Sequence, residues 1–333
     1  MEPLGTIKRQ DQLAALADEH RLALLRRLMC GPSTISKLGR DFGRHPAWIR
    51  HHLMRLAAVG LVEAAGEKTT RNYTEKFYRA TSGALAVHML VAPDSGSSRT
   101  VVALGSDDFA MQLLADDCNA AAVDSHVAVS SVGSLDGLIA LRQGLADVAG
   151  CHLLDVASGE YNIPYLQHLF PNSDVEVVTL AYREQGLMTR AGSTLRPTDI
   201  ADLAETSLRF INRNPGSGTR VWLDAQLRAL GVDTAVITGW ETEVTTHDDV
   251  ARAIASGAAD IGLGIRTAAE HAGLDFMPLF TERYDLVFSS SSAHKADLEP
   301  LREQLESSGF KSRVRALGGY DTSDTGQTRK LAG

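Results

Sequence analysis

"RQGLADVAGCHLL" (142–154) and "ASGAADIGLGIRT" (255–267) set out the same features in the same order. Each has the end of a helix-like stretch, a glycine, an Ala-Asp pair and a short apolar run. A short apolar run entered through a glycine turn reads as a buried strand of an α/β sheet. Two such units imply two similar α/β lobes, and the cleft between lobes is a common ligand site.

The flanking sequence extends this pattern. "TVVALGS" (100–106) is a buried-type strand that leads into a helix beginning near Asp107. "HVAVSSVGS" (126–134) leads into "LDGLIALRQG". "VEVVTLAYREQGLMTR" (175–190) reads as strand and crossover, "LRFINRN" (208–214) runs into a glycine-rich turn, and "THDDVARAIASG" is a helix. The alternation implies an α/β fold with mainly parallel sheet. Three strand ends carry small polar residues just before a helix. They are Ser106; then Ser130, Ser131, Gly133 and Ser134; then Asn214, Ser217, Gly218 and Thr219 in "NRNPGSGTR" (212–220). Free N–H groups and the positive dipole end at a helix start favour an anion there, hydroxyls add neutral donors, and Arg220 could add one charge. Converging, the three turns would form an oxyanion cage outside the carboxyl ends of the strands. His152 and Tyr161 follow a strand end, where a polar lining or a structural role is open to them.

Several chemistries lack their residues. "PGSGTR" has no Lys-Ser/Thr ending of a nucleotide-phosphate loop and does not complete G-x-G-x-x-G. There is no G-x-S-x-G, no H-E-x-x-H and no metal-ligand cluster. The pairs Asp116–Asp117 and Asp248–Asp249 read as solvated helix surface, so no enzyme activity is expected. Cys30, Cys118 and Cys151 lie far apart and read as inert core thiols of a reduced compartment.

The chain has 333 residues, 44% hydrophobic and 22% charged, which is ordinary soluble composition divided over two or three domains. No apolar run reaches membrane-spanning length. The opening "MEPLGTIKRQDQ" has no apolar export core, so a cytoplasmic location is expected. The net charge of −8 conceals an asymmetry. Residues 1–80 hold 14 Lys and Arg against 8 Asp and Glu, whereas the remainder is strongly acidic. A basic head on an acidic body implies that the head alone approaches a polyanion.

Within that head, "QLAALADEHRLALLRRLM" (12–29) is helical in pattern and is broken by Gly31 and Pro32. Ser33 caps "TISKLGRDF", and after Gly43 comes "RHPAWIRHHLMRLAAVG". Pro46 suits its first turn, and Ile49, Leu53 and Leu56 form its buried stripe. Its other face carries Arg44, His45, Trp48, His51, His52 and Arg55. "LVEAA" (61–65) and "NYTEKFYRAT" (72–81) read as strands joined by a tip bearing Lys68 and Arg71. Two short helices, the second basic, followed by a hairpin describe a winged helix-turn-helix.

On "ALADEHRLALLRRL", "ISKLGRDFGRHPAWIRHHLMRLAAVGLVE" and the hairpin, this segment resembles the winged helix-turn-helix of ArsR-type bacterial regulators. The paired-thiol metal motif of arsenic sensors is missing, since Cys30 stands alone. The body, on "SVGSLDGLIALRQGLADVAGCHLLD…GEYNIPYL", "LAYREQGLM" and "INRNPGSGTRVWLDAQL", resembles the type II periplasmic-binding-protein-like domain of bacterial regulators and molybdopterin-biosynthesis fusions. That resemblance implies molybdate or tungstate held at Ser106, Ser134, Ser217, Gly218 and Thr219, with Ser131, Gly133, His152, Asn214 and Arg220 beside them. A molybdenum-cofactor-related metabolite is its second choice.

The expected organisation is a DNA-binding winged helix at 1–90, a linker at 91–100 and a two-lobed sensing domain at 101–318. A polar, disordered tail at 319–333 completes it. The expected partners are double-stranded DNA through Arg44, His45, Trp48, His51, Arg55, Lys68 and Arg71, a small oxyanion, and a second copy of the chain. A molybdopterin-binding metabolic protein and a ligand-gated protein-interaction module are the alternatives.

Overall fold

The computed structural model describes residues 5–7, 9–70, 73–87, 99–121, 125–171, 175–194, 196–204, 207–289, 295–329 and 331. The chain divides into two compact units, Met1–Val91 and Ala92–Gly333. Of the expected linker, 91–100, residues 91–98 lie outside the described residues, as does Arg71, and Arg99 and Thr100 already belong to a strand.

The first unit runs β1 (Gly5–Ile7), α1 (Gln10–Leu16), α2 (Glu19–Met29), β2 (Ser33–Thr34), α3 (Ile35–Phe42), α4 (Pro46–Ala58), β3 (Val62–Thr70), β4 (Tyr73–Ala80) and β5 (Leu85–Val87). The single helix expected over 12–29 is two helices. Asp18 accepts from the Arg21 N–H at 2.9 Å and so caps a fresh start. Thr34, not Ser33, caps α3, accepting from the Lys37 N–H. Ser33 is buried and its hydroxyl has no partner among the described residues. A left-handed Gly43 ends α3, and three residues later α4 begins on Pro46. Ile49, Leu53 and Leu56 are fully buried on Leu24, Leu25, Leu28 and Leu38. The β3–β4 hairpin and β2 make a three-stranded antiparallel sheet, and β1 pairs with β5.

The second unit opens with β6 (Arg99–Gly105), α5 (Phe109–Ala121), β7 (Ser125–Ser131), α6 (Ser134–Arg142), β8 (Val148–Cys151) and α7 (Ile163–Leu169). The long β9 (Val175–Thr189) follows. Then come β10 (Phe210–Arg213), α8 (Gly218–Ala229), β11 (Glu243–Val244), α9 (His247–Ala255), β12 (Ile261–Ile265) and α10 (Arg266–His271). The equally long β13 (Asp275–Ser289), α11 (Glu299–Glu306), α12 (Ser308–Ala316), β14 (Tyr320–Asp321) and β15 (Thr328–Arg329) complete it.

The main sheet has the order β11-β10-β12-β9-β13-β8-β6-β7. Read from both ends it is the same motif twice, β6–α5–β7–α6–β8 and β10–α8–β11–α9–β12. The sequence repeat supplies the third strand of each lobe, β8 and β12. The sheet is mixed, because β9 and β13 form a 15-residue antiparallel ribbon that joins the lobes. Residues 175–190 are therefore one strand, not a strand and crossover. Over Val177–Ala181 and Tyr284–Phe288 the ribbon is buried on both faces, and the near-continuous apolar runs there hide the alternation of a strand. The first lobe packs Val101, Met111, Leu114 and Val127 with Leu301, Leu305 and Phe310 of the returning C-terminal helices. The second packs Phe210, Leu223, Trp240 and Leu263. Among the described residues no helix is long and apolar enough to cross a membrane.

The expected disordered tail is instead part of the sheet. β12 covers β9 only over Gln185–Thr189, and β14 and β15 pair with the edge left open at Val177–Arg183. An open edge on a buried strand needs backbone partners, and the tail provides them. Its polar residues are satisfied there, with the Thr325 hydroxyl donating to the Leu180 carbonyl at 2.7 Å.

Candidate functional site

Sheet topology brings the carboxyl ends of β6, β8 and β10 to one place, flanked by the starts of α5, α6, α8 and α9. His152, the residue after β8, occupies the middle and is 1% exposed. Its Nε2 lies 2.8 Å from the Ser106 hydroxyl and its Nδ1 2.7 Å from Glu282 Oε2. Its backbone N–H donates to the Ser134 hydroxyl at 3.2 Å. Gly218 packs directly on it, where an added Cβ would stand 2.5 Å from Nδ1. Gly133, at φ 97, approaches the Asn214–Gly216 turn of the other lobe, with an added Cβ 3.5 Å from the Gly216 carbonyl oxygen. The predicted Ser/Gly-rich turns thus converge.

Their hydroxyls are nevertheless engaged with the protein. Ser217 caps α8, accepting from the Arg220 N–H and donating to the Asn214 carbonyl. Thr219 accepts from the Gln185 amide at 3.1 Å. Ser131 donates to Asp107 at 3.3 Å. Arg220 departs from its expected place. It pairs with Asp224 at 3.0 Å and Glu243 at 3.2 Å and lies over the Trp240 ring, so it belongs to the outer side of α8. Its polar end is held there by these two carboxylates, whereas Glu282 and Asp108 in the interior are already taken by Arg183.

The charges at the centre come from residues that the sequence reading did not single out. On β9, Arg183 and Gln185 share a face, two residues apart. Glu282 of β13 stands opposite Arg183 in register. The Arg183 Nε donates to Glu282 Oε1, and its Nη1 donates to Asp108 Oδ2 at 2.7 Å and to the Asp107 carbonyl at 3.0 Å. Tyr320 donates to the same Asp108 oxygen at 2.7 Å. The Gln185 amide nitrogen donates to Glu282 Oε1 at 2.7 Å.

Burial alone would raise the Glu282 carboxyl. Arg183 and then His152 outweigh it and hold the group down at about 2. Burial is also the main reason that His152 lies below an ordinary histidine, with Glu282 only partly offsetting it. Neutral His152 then donates from Nδ1 to Glu282 and accepts the Ser106 proton at Nε2. Burial pushes the Tyr161 hydroxyl up, and the nearby Glu282 charge adds to that.

Beside this network lie Arg213, the last residue of β10, and His247, the first of α9. Arg213 spends one nitrogen on the Thr245 carbonyl at 2.8 Å, while its Nε and Nη1 are buried without a hydrogen-bond partner among the described residues. Burial pushes its guanidinium down to about 10, with Asp107 the first charge acting against the shift. The His247 N–H donates to Asp107 Oδ2 at 2.9 Å, a bond that joins the two lobes. Neither His247 ring nitrogen has a hydrogen-bond partner among the described residues. Burial first, then Arg213 and Arg183, hold that ring well below the ordinary histidine value and so neutral. Arg183 Nη2 and Gln185 Oε1 are likewise buried and unpartnered. The sequence did hold a signal for these residues. Arg183, Gln185 and Glu282 are polar residues of long strands whose other parts are apolar, and their burial demands a partner.

In the first unit, Arg44, His45, His51, Arg55 and Lys68 are exposed. Arg50 and Met54 are exposed as well, and with Ala47, His51 and Arg55 they line a shallow surface hollow on α4. His45 caps α4, its Nδ1 accepting from the Ala47 N–H. Trp48 is half-buried against His52, with ring centroids 4.2 Å apart, and Arg44 lies over its ring. His52 does not share the free face. It is buried, 3.7 Å from Asp18, because its position falls beside Leu53 on the packed side of α4. Cys118 and Cys151 are core thiols, whereas Cys30 is exposed rather than buried.

The sequence matches the PBP (periplasmic-binding-protein) superfamily domain over residues 115–306. It is 36% identical over 195 residues to the uncharacterized protein YvgK of Bacillus subtilis, a match covering 59% of this chain and 63% of that one. The chain therefore spans less than two thirds of the length of that relative. It is also 36% identical over 108 residues to an uncharacterized protein of Clostridium pasteurianum from the region 5′ of a 2Fe-2S ferredoxin gene, covering 32% of this chain and 96% of that protein. Among solved structures, a protein of Clostridium perfringens, assigned to phosphate ABC transport and solved with bound phosphate, matches with a TM-score of 0.52. That match has 13% identity and covers 66% of this chain and 97% of the other, a likeness of fold.

Proposed function

Since the chain belongs to the PBP superfamily through its domain at residues 115–306, we propose that it is a one-component transcription regulator whose two-lobed unit senses a small oxyanion. The class covers molybdate, tungstate and phosphate. The observation that carries this reading is Arg213, a fully buried guanidinium with Nε and Nη1 unpartnered between two lobes. A buried cation with free donors is costly in an apolar interior, and an anion between the lobes offsets that cost. The phosphate held by the Clostridium perfringens protein of like fold supports the same class. Calorimetry with molybdate, tungstate, phosphate and sulfate tests it, and heat with none of them overturns the oxyanion reading.

In the first unit we read a winged helix-turn-helix. α3 and α4 are its two helices, and the β3–β4 hairpin is its wing. α4 enters the groove with Arg44, Arg50, His51 and Arg55, while Lys68 on the hairpin reaches phosphate. Dimerisation would present two such helices to two half-sites. Ligand binding shifts operator affinity only so far as it distinguishes the dimer states. The Arg55→Glu variant should lose at least about tenfold in a gel shift on the protein's own upstream DNA, with a shallower salt dependence. Unchanged affinity removes α4 from the interface.

A further inference from the structure

The buried atoms left without partners between the lobes are not all donors, and their mixture narrows the ligand. We propose that the site takes an anion that carries its own O–H or N–H, and that it discriminates against aprotic oxyanions. This rests on the oxyanion reading above and goes further by choosing among its members.

The orientation of Gln185 is fixed by chemistry. Its two neighbours are a carboxylate oxygen, Glu282 Oε1 at 2.7 Å, and the Thr219 hydroxyl at 3.1 Å. A carboxylate oxygen only accepts, so the amide nitrogen must face it and uses both of its protons on these two partners. The Gln185 carbonyl oxygen is left buried with no donor. Neutral His247 adds one N–H and one lone pair, since both ring nitrogens are unpartnered. On the donor side stand Arg213 Nε and Nη1 and Arg183 Nη2. The ligand must therefore accept on the side of the two arginines and donate toward Gln185 or His247. A fully deprotonated tetrahedral dianion satisfies the first demand and leaves the Gln185 oxygen orphaned.

The formal charges agree. Arg183 and Arg213 are offset by Asp107, Asp108 and Glu282, three carboxylates against two guanidinium groups. Asp107 is bound to the site itself, through the His247 N–H and the Ser131 hydroxyl. Such a balance disfavours a second full negative charge and favours a protonated or singly charged anion. Dihydrogen phosphate and a small hydroxy acid share this chemistry.

The test is a calorimetric series at neutral pH on the full chain, with inorganic phosphate, glycolate, molybdate, tungstate and sulfate. Phosphate or glycolate should bind at least about 100-fold tighter than the three aprotic dianions, because a buried acceptor left unpaired is a strong rejection device. Which of the two binds identifies the source of the anion: phosphate keeps both readings, and glycolate alone keeps the protic selectivity while overturning the tetrahedral-oxyanion reading. If molybdate, tungstate or sulfate binds within tenfold of the better protic ligand, this inference fails while the oxyanion reading stands. If none of the five binds, both fail. In a second arm, Gln185→Met removes the acceptor at similar volume. Its ratio of protic to aprotic affinity should collapse toward unity, and an unchanged ratio overturns the role given to Gln185. Circular dichroism and a urea midpoint for that variant separate loss of selectivity from loss of fold.

Discussion

Two groups of buried charge lie side by side between the lobes and are built in different ways. Around Glu282 each charge is matched. Its carboxylate takes Arg183, Gln185 and His152, and Asp108 takes Arg183, Tyr320 and the Met111 N–H. Around Arg213 and His247 the matching stops, and two guanidinium nitrogens and both ring nitrogens face no partner. The Glu282 group ties the β9–β13 ribbon to the start of α5 and to the tail, which is the work of a scaffold. An unmatched group costs on the order of 1–3 kcal/mol for each buried donor or acceptor, and it persists where binding recovers that cost. The contrast separates residues that chiefly hold the lobes from residues that serve what enters between them, with Arg183 Nη2 and Gln185 Oε1 the atoms of the first group left open among the described residues.

The largest effect expected is at the matched group. Arg183→Met leaves Glu282 and Asp108 buried without their shared cation and should destabilise the second unit by about 3–5 kcal/mol in urea unfolding. A loss below about 1 kcal/mol would mean that this network does not hold the lobes, and the contrast would dissolve.

Acid should separate the two groups next. His152 and His247 are both depressed chiefly by burial. Around His247 the acting charges are Arg213, Arg183 and His152, with no carboxylate pulling its pKa back up. As pH falls through about 6.5 the unfolded chain protonates both rings ahead of the native protein, His247 by the wider margin, so stability is full above that point and declines below it. His247 alone contributes a slope of about 1.4 kcal/mol per pH unit, and His152 adds to it over a narrower range. Below about 4.5 Glu282, held at about 2, adds its own loss, since only the unfolded chain takes up that proton. His247→Gln should remove the larger share of the slope between roughly pH 6.5 and 5, read from urea midpoints. A slope that does not change would show that His247 titrates in the native protein.

The same contrast explains what was legible in the sequence. The repeat around Ala146–Asp147 and Ala259–Asp260 carried the two-lobed plan, because each copy keeps its helix-glycine-strand order whatever packs on it. The convergence of Ser106, Ser134, Ser217 and Gly218 was legible for a similar reason, as strand ends in such a sheet share one edge. The charged centre was not. Arg183, Gln185 and Glu282 sit in polar runs of the antiparallel ribbon, "YREQ" and "TERYD", where a two-residue period does not tell the buried side chains from the exposed ones. Register alone decides that Glu282 stands opposite Arg183. Arg220 looked like the site cation because it adjoins the glycine-rich turn. A helical step turned it to Asp224, while the side chain of the strand residue Arg213 is fully buried and bonds the Thr245 carbonyl. The tail read as disordered from its composition, and composition carries no information about the open edge of β9.

The smallest expected change in stability is the sharpest test of the contrast. Arg213→Met trades a buried guanidinium for a flexible apolar chain. It loses one hydrogen bond, to the Thr245 carbonyl, and also lifts the desolvation that pushes the group down to about 10. Asp107 keeps the His247 N–H and the Ser131 hydroxyl, so its charge is not left bare. The two effects nearly cancel, and the urea midpoint should stay within about 1 kcal/mol of the parent. Anion binding should nevertheless be lost, since the unpartnered Nε and Nη1 go with the guanidinium. If the variant is instead destabilised by 3 kcal/mol or more, on the scale given for Arg183, then Arg213 belongs to the scaffold. The two groups of charge would then be one.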